Sequence, residues 1–319
     1  MKVAVLGGAG FIGSAFVREL NKRGIRPIVI DLLTYAGRLE NLKDTEHEFI
    51  KADIRDPSTQ ELLQNVDIVV NFAAETHVDR SIYRPQDFVT TNVLGTINIL
   101  EAARRFNFKY VHISTDEVYG DLYGEGCADE NSPLNPSSPY SASKASADLF
   151  VKAYIRTYGI NAIIIRPCNN YGPRQFPEKF IPKAIIRTLM GLEVPIYGNG
   201  RQERDWMYVE DTARIIFDII SKANWKGEIY NLSGKQIVNN LELLKLLGEV
   251  MGKEIKIKFV SDRPGHDKRY CMKISLSYEV TPLKEGLKKT YEWYVKNEWW
   301  WKPLIDDKFF KEDEPWKNN

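Results

Sequence analysis

Short runs of apolar, largely β-branched residues recur through the first half of the chain, separated by longer stretches in which apolar residues return every three or four positions. The short runs, near residues 2–6, 26–30, 48–52, 67–72, 109–114 and 161–166, predict strands buried on both faces. The longer stretches, over 11–23, roughly 80–105 and 140–158, predict amphipathic helices. Their alternation predicts βαβ units, hence an α/β fold with a doubly wound parallel sheet of the Rossmann type. After Arg166 the composition shifts to Pro, Asn and Gly, and a smaller α+β lobe is expected there. Within it, 209–223 and 239–252 read as helices, 254–260 alternates like a strand, and 283–299 reads as a terminal amphipathic helix. The expected organisation is a nucleotide-binding domain over 1–166, with 204–232 returning to it, a substrate lobe over 167–301 and a tail over 302–319. The tail is charged and aromatic and has no clear period.

At 319 residues and 43% apolar composition, the chain has material for about two domains with a sizeable core. Forty-four basic against 43 acidic residues leave a net charge of +1, which gives no electrostatic reason to expect nucleic acid or an anionic membrane as partner. No apolar run approaches the roughly 20 residues that cross a bilayer. The four apolar residues between Lys2 and Gly7 are too few for the core of a signal peptide. A soluble, cytoplasmic protein is expected. Cys127, Cys168 and Cys271 are odd in number and far apart, without CxxC or histidine spacing, so they suggest neither a disulfide framework nor a metal site. A reducing compartment fits that pattern, and Cys271 reads as a partly buried residue rather than a reactive thiol.

Chemistry enters at the end of the first strand. Gly7-Gly8-Ala9-Gly10-Phe11-Ile12-Gly13 is a GxxGxxG loop that opens a helix, which suits a tight turn, close approach of backbone to a pyrophosphate and an anion on the helix N-terminus. Asp31 ends the second strand, where a carboxylate can accept from both adenosine ribose hydroxyls and would repel a 2′-phosphate, favouring NAD over NADP. A turn or capping aspartate is the alternative. Asp53, at the end of the third strand, can meet an adenine amino group or cap the next segment. Tyr140-Ser141-Ala142-Ser143-Lys144 puts a phenol and an ammonium on one helical face, where the lysine charge is expected to lower the phenol pKa for proton exchange with a substrate hydroxyl. Ser114 and Thr115, at a strand end, offer hydroxyls to the same oxygen.

This combination resembles the short-chain dehydrogenase/reductase superfamily in its extended, sugar-nucleotide-modifying branch. Ser114-Thr115-Asp116-Glu117-Val118-Tyr119-Gly120 carries two adjacent carboxylates where epimerases usually have uncharged residues, and narrows the resemblance to the dTDP-glucose 4,6-dehydratase family. The strings Ala73 to Ile82, Arg166 to Gln175, Arg204 to Asp211 and Asp262 to Tyr270 support it, and the likeness spans about residues 1–300. It implies NAD as cofactor and dTDP-glucose as substrate, with oxidation at C4, loss of water across C5–C6 and return of the hydride to C6. Tyr140 would be the base at O4, Thr115 its hydrogen-bonding partner, Lys144 a ribose ligand, Glu117 the C5 base and Asp116 the acid that protonates the departing C6 hydroxyl. Successive strand residues face opposite ways, so Asp116 and Glu117 can share a site only where the chain is leaving the sheet, as Gly120 permits.

On the cofactor side the resemblance implies Gly7, Gly10, Phe11, Ile12, Gly13, Asp31, Thr34, Asp53, Ile54, Ala73, Ala74, Asn92, Tyr140, Lys144 and Asn170, with Asn92 alternatively in a proton relay. On the substrate side it implies Thr76, His77, Asn169, Glu178, Lys179, Arg204, Asn240, His266, Lys268, Arg269 and Tyr270, His77 reading as a structural histidine beside the site. No metal is implied. Segments 80–105 and 140–158 resemble the helix pair of a four-helix dimer interface, so a homodimer is expected, and rhamnose or related deoxysugar synthesis is the family's usual setting. The loop between Glu117 and Tyr140 is short for the family, and Lys273 stands where an aspartate is usual, which leaves dTDP against UDP open. The rival activities are a UDP-hexose 4-epimerase, a UDP-glucose 4,6-dehydratase and a non-catalytic NAD-binding protein of the same fold.

Overall fold

The structure, a computed structural model, describes residues 1–317. In chain order the first half contains β1 (Val3–Leu6), α1 (Phe11–Lys22), β2 (Ile28–Asp31), β3 (Glu48–Lys51), β4 (Ile68–Asn71), α2 (Val78–Tyr83), α3 (Pro85–Phe88), α4 (Gly95–Phe106), β5 (Lys109–Ile113), α5 (Pro139–Tyr158) and β6 (Ala162–Pro167). The second half contains β7 (Asn169–Tyr171), α6 (Phe180–Leu189), β8 (Val194–Tyr197), β9 (Glu203–Tyr208), α7 (Val209–Lys222), β10 (Ile229–Leu232), β11 (Ile237–Asn239), α8 (Asn240–Met251), β12 (Ile257–Val260) and α9 (Leu283–Lys296). Seven parallel strands pair in the order β10-β6-β5-β4-β1-β2-β3. Strand order reverses between β1 and β4, and a crevice beyond their carboxyl ends is where such sheets bind ligands.

Alternation along the strands divides the core. Val3 and Val5 join Phe16, Val17, Leu20, Ile216 and Ile219 on the face covered by α1 and α7. Ala4 and Leu6 join Ile99, Leu100, Tyr110 and Val151 on the face covered by α4 and α5. A third apolar cluster, with Ile185, Trp206, Leu247, Tyr294 and Trp300, fills the second lobe. That lobe holds a three-stranded sheet, β11-β9-β7, and a β12-β8 pair. Residues 204–208 therefore lie in the second lobe's sheet, and the chain rejoins the large sheet only through α7 and β10.

Two further expectations, on the 80–105 helix and on the cysteines, are corrected, and the tail gains a structure. The helix expected over 80–105 is broken after Tyr83, where Pro85 has no N–H to give, and residues 89–94 form a π-helical turn before α4. The tail is folded: Phe309, Phe310 and Trp316 are buried, and the Lys183 ammonium donates to the carbonyls of Phe309 (2.9 Å) and Glu312 (3.1 Å). Its aromatic residues anchor one by one, so no period announces them; residues 318 and 319 lie outside the described residues. Finally, Cys127 and Cys271 form a disulfide although 144 positions separate them. Backbone pairing of Ala128 with Met272, with the Ala128 N–H donating to the Cys271 carbonyl at 3.0 Å, brings them together, and spacing cannot show that. The cysteines thus give no support to a reducing compartment. Cys168 is buried and free.

Candidate active site

A cavity of about 350 Å³ opens beyond the carboxyl ends of β1, β2, β4, β5 and β6. Gly7 turns the chain at its floor with φ +71°, and any Cβ there would sit 2.5 Å from the Ala73 nitrogen, so only glycine lets β1 and β4 end side by side. α1 starts directly after Gly10, with no side chain capping its first amides and no acidic residue in its first turn. Those amides belong to Phe11, Ile12 and Gly13, which line the cavity, and N–H groups at a helix start have no acceptor of their own helix and favour an anion. This cradle fits the diphosphate of a dinucleotide. Asp31 accepts from the N–H groups of Ala9 (3.0 Å) and Leu33 (2.8 Å), while burial pushes its carboxyl up. It is a turn-fixing aspartate that also faces the cavity.

Asp53 is held by Arg55 through Nε (2.9 Å) and Nη2 (2.6 Å), which lowers its carboxyl pKa; the cap of the following turn is Asp56 instead. Thr34, Ile54, Ala73 and Ala74 line the cavity, as does Asn170, whose amide is occupied by the Cys168 carbonyl (2.9 Å) and the Thr212 hydroxyl (2.5 Å). Asn92 does not line it. Its side chain accepts from the Glu75 N–H (2.8 Å) and donates to the Glu75 carbonyl (3.0 Å) and to Ser143 Oγ (2.9 Å), pinning the Glu75 loop to α5, which is a scaffold role.

The two adjacent acids are placed by the end of β5. Past Ile113 the chain leaves the sheet, and Thr115 caps a single 3-10 turn over Asp116–Tyr119, accepting from the Glu117 N–H at 3.3 Å. Off the strand, adjacent side chains need not oppose each other, and both Asp116 and Glu117 line the cavity. Gly120 closes the turn at φ +78°. Burial and then the Glu117 charge push the Asp116 carboxyl well above its ordinary value. Burial also raises Glu117, but Arg263, Arg204 and Lys179 pull it back. Both carboxyls are therefore raised, Asp116 further than Glu117, so that of the two a proton rests more readily on Asp116.

Tyr140 and Lys144 lie one turn apart on α5, whose start is set by a Ser138–Ser141 capping box and Pro139 in the first turn. The expectation that Lys144 lowers the phenol pKa is not realised. Burial and the Glu117 charge push Tyr140 well up, with only Thr115 opposing prominently. Lys144 instead donates from Nζ to the Ile113 carbonyl at 2.6 Å, and burial brings its pKa down to about 8 against the pull of Asp148. Asp148, fully buried one turn further on, binds Arg166 Nε at 2.8 Å and lies 3.5 Å from His112 Nε2. Sequence reading passed over this triad, although the four-residue spacing from Lys144 was visible.

At the sugar end, Thr76, Asn169, Glu178 and Lys179 line the cavity. Lys179 Nζ donates to the Thr76 carbonyl (2.9 Å), and Glu178 accepts from Tyr35 (3.0 Å) and Arg80 Nε (2.7 Å). His77 stands behind, its ring edge-on to Phe309 and its pKa driven well down by burial. The remaining substrate candidates do not line this cavity. Arg204 donates to the carbonyls of Glu203 and Asp267, each at 2.8 Å, and lies 4.2 Å over the Tyr270 ring. Asn240 contacts Gln202, His266 pairs with Asp262 at 2.6 Å, Lys268 lies over Tyr123, and Arg269 faces Glu203 at 3.0 Å. Tyr270 comes nearest, its hydroxyl 3.4 Å from Glu117. Tyr35, Glu75 and Phe176 were missed as lining residues, and Arg263, whose charge reaches Glu117 while it pairs with Asp79 at 3.0 Å, was visible only as part of the Asp262 to Tyr270 string.

Residues 3–233 match the model of the NAD dependent epimerase/dehydratase family. The chain is 42% identical to a dTDP-glucose 4,6-dehydratase of Escherichia coli, covering 97% of this chain and 98% of the relative. It is 42% identical to the dTDP-glucose 4,6-dehydratase DesIV of Streptomyces venezuelae, solved with NAD bound, with a TM-score of 0.91 over 95% of this chain and 100% of that one. A UDP-glucose 4-epimerase of Thermus thermophilus, solved with NAD, is 29% identical with a TM-score of 0.84, covering 93% of this chain and 100% of that one.

Proposed function

We propose that this chain, which belongs to the NAD dependent epimerase/dehydratase family, converts dTDP-glucose to dTDP-4-keto-6-deoxyglucose. The observation that carries this reading is the Asp116–Glu117 pair, turned off the sheet into the same cavity as Tyr140, with Asp116 raised further than Glu117. The fold alone does not discriminate, because the epimerase relative shares it. An epimerase needs a base at O4 but has no use for a second acid–base pair.

NAD, when bound in the cradle, would supply a reversible hydride acceptor, loaded by the C4–H bond and emptied onto C6 after water has left while C5 regains a proton, so that the conversion carries no net redox change. The protein does the proton chemistry. Tyr140 takes the proton of the C4 hydroxyl, and Thr115 fixes that oxygen. The ketone so formed acidifies the neighbouring C5–H, and Glu117, whose charged form Arg263, Arg204 and Lys179 support against burial, removes that proton. Asp116, kept protonated by burial, gives its proton to the C6 hydroxyl as it leaves as water. Asp31 and the first amides of α1 hold the dinucleotide, Lys144 its ribose, and Glu178, Lys179 and Asn169 the nucleotide sugar.

The same reading includes a homodimer, because α5 and the turn before α4 present exposed Leu94, Leu149, Phe150 and Tyr158. It also includes a cytoplasmic site of action in deoxysugar synthesis of the rhamnose type; among the described residues no helix is long and apolar enough to cross a membrane. The decisive experiment incubates purified protein with dTDP-glucose, with and without added NAD, and follows the alkaline absorbance of a 4-keto-6-deoxyhexose. Formation of that product is expected. A 4-epimer without keto sugar, from either dTDP- or UDP-hexose, would replace the reading with the epimerase one.

A further inference from the structure

The loop that cradles the dinucleotide is gripped from behind by the far end of the chain. Both backbone polar groups of Ala9, in the two successive amides that flank it, are engaged: its N–H donates to Asp31 Oδ2 (3.0 Å), and its carbonyl accepts from Asn41 Nδ2 (2.8 Å) and the Arg38 N–H (3.0 Å). Asn41 is fully buried, on the short turn Leu39–Leu42 that follows β2. Its side-chain oxygen accepts the indole N–H of Trp300 at 2.9 Å. Trp300 lies in the turn after α9, is 1% exposed, and packs edge-on against Trp293 (5.1 Å) and Tyr294 (6.3 Å) in the second lobe's core. Arg38 closes the circuit by donating from Nη1 to the Trp300 carbonyl at 2.9 Å.

The Ala9 carbonyl shares its peptide plane with the Gly10 N–H, which donates to the Gly7 carbonyl at 3.1 Å, so that plane cannot rotate without leaving polar groups unpaired. Ala9 sits between Gly8 and Gly10, residues whose backbone otherwise rotates freely, and the cavity-facing amides of α1 follow immediately. The orientation of those amides thus depends on how firmly the Ala9 carbonyl is held.

We propose that Asn41 and Trp300 are positioning residues for the dinucleotide loop, so that retention of NAD depends on an indole N–H supplied by the C-terminal end of the substrate lobe. This rests on the NAD reading above. Neither residue touches the cofactor; they act through Ala9.

The test separates positioning from plain stability. Trp300→Phe keeps an aromatic ring but removes the donor, leaving the Asn41 oxygen buried and unpaired. Trp300→Phe/Asn41→Leu removes both partners, and replacing both ends of a buried hydrogen bond restores much of the stability lost when one is removed. Release of NAD from the diluted holoprotein, dTDP affinity and Tm are measured for parent and both variants. The positioning role predicts release at least roughly fivefold faster in the single variant, the factor that accompanies loss of one net hydrogen bond. Release should stay fast in the double variant even though its Tm recovers, with dTDP affinity unchanged in both. Parent-like release in Trp300→Phe, or release that recovers together with Tm in the double variant, overturns the proposal while leaving the NAD reading in place. A parent that takes up no NAD overturns that reading, and this proposal with it.

Discussion

Asp116 and Glu117 are neighbours in sequence and differ in surroundings: burial raises both, but Asp116 is raised further by its neighbour's charge while two arginines and a lysine partly relieve Glu117. That difference gives separable phenotypes. Glu117→Gln should still oxidise C4, since Tyr140 and Thr115 are untouched, but should exchange the C5 proton about 10² to 10⁴ times more slowly. Asp116→Asn should exchange C5 normally and lose water slowly, because an amide cannot protonate the leaving oxygen. Deuterium at C5 of recovered dTDP-glucose distinguishes them, and normal exchange in Glu117→Gln would reject the assignment. Lys144 makes a prediction of the opposite kind, about stability. Its pKa falls from 10.5 to about 8 on folding, so below pH 8 both states carry the charge and the folded state bears the full desolvation cost. Between pH 8 and 10.5 the folded lysine has already lost its proton while the unfolded one has not, and the cost fades. The parent should therefore gain stability relative to Lys144→Met across that window, by at most about 3 kcal/mol. Denaturant titrations at pH 7 and pH 10 check this, and a difference that does not change with pH refutes it.

Among the elements, the 3-10 turn over Asp116–Tyr119 matters most, for it turns two adjacent carboxylates into one site. Gly120 closes it at φ +78° and ψ −163°, a region essentially restricted to glycine, with the Asn135 carbonyl where a Cβ would go. Gly120→Ala should cost about 1–3 kcal/mol in backbone strain, more if Asn135 cannot move aside. Dehydration should fall further than the Tm loss explains, because the turn carries both acids; unaltered turnover would show that the turn's geometry is not required. Six of the seven strands of the large sheet, all but β10, together with α1 and α5 were legible in sequence because each is a local period, and the glycine loop and the Tyr140–Lys144 spacing are local too. Less legible was whatever depends on a partner far along the chain. Arg204 fits a phosphate ligand by type, yet Nη1 and Nη2 each give a hydrogen bond to a backbone carbonyl, of Glu203 and Asp267. Asn41 looks like any polar residue until Trp300, 259 positions away, meets it. The break at Pro85 could have been read directly, since proline inside a helical period ends it.

Across the whole molecule, the Cys127–Cys271 bond ties the loop after Glu117 to the segment carrying Arg269 and Tyr270, whose hydroxyl faces Glu117. A cross-link spanning 144 positions restricts the unfolded chain by up to about 5 kcal/mol on the loop-entropy account. Reductant should lower the parent's Tm, and Cys127→Ser/Cys271→Ser should start lower and ignore reductant; equal Tm in all four conditions would show that the bond contributes nothing. The bond also makes the chain a covalent ring from residue 127 to 271, which contains α5 with Tyr140 and Lys144 as well as Glu178, Lys179 and most of the second lobe. A protease that cuts inside the ring, for instance at the turn where Leu192 is 43% exposed, opens it without freeing either piece. The nicked protein would migrate as one species until reduced and as two afterwards, and its halves, still tethered, could refold together. A cut before residue 127 would instead release the glycine loop and Asp31 from everything they serve.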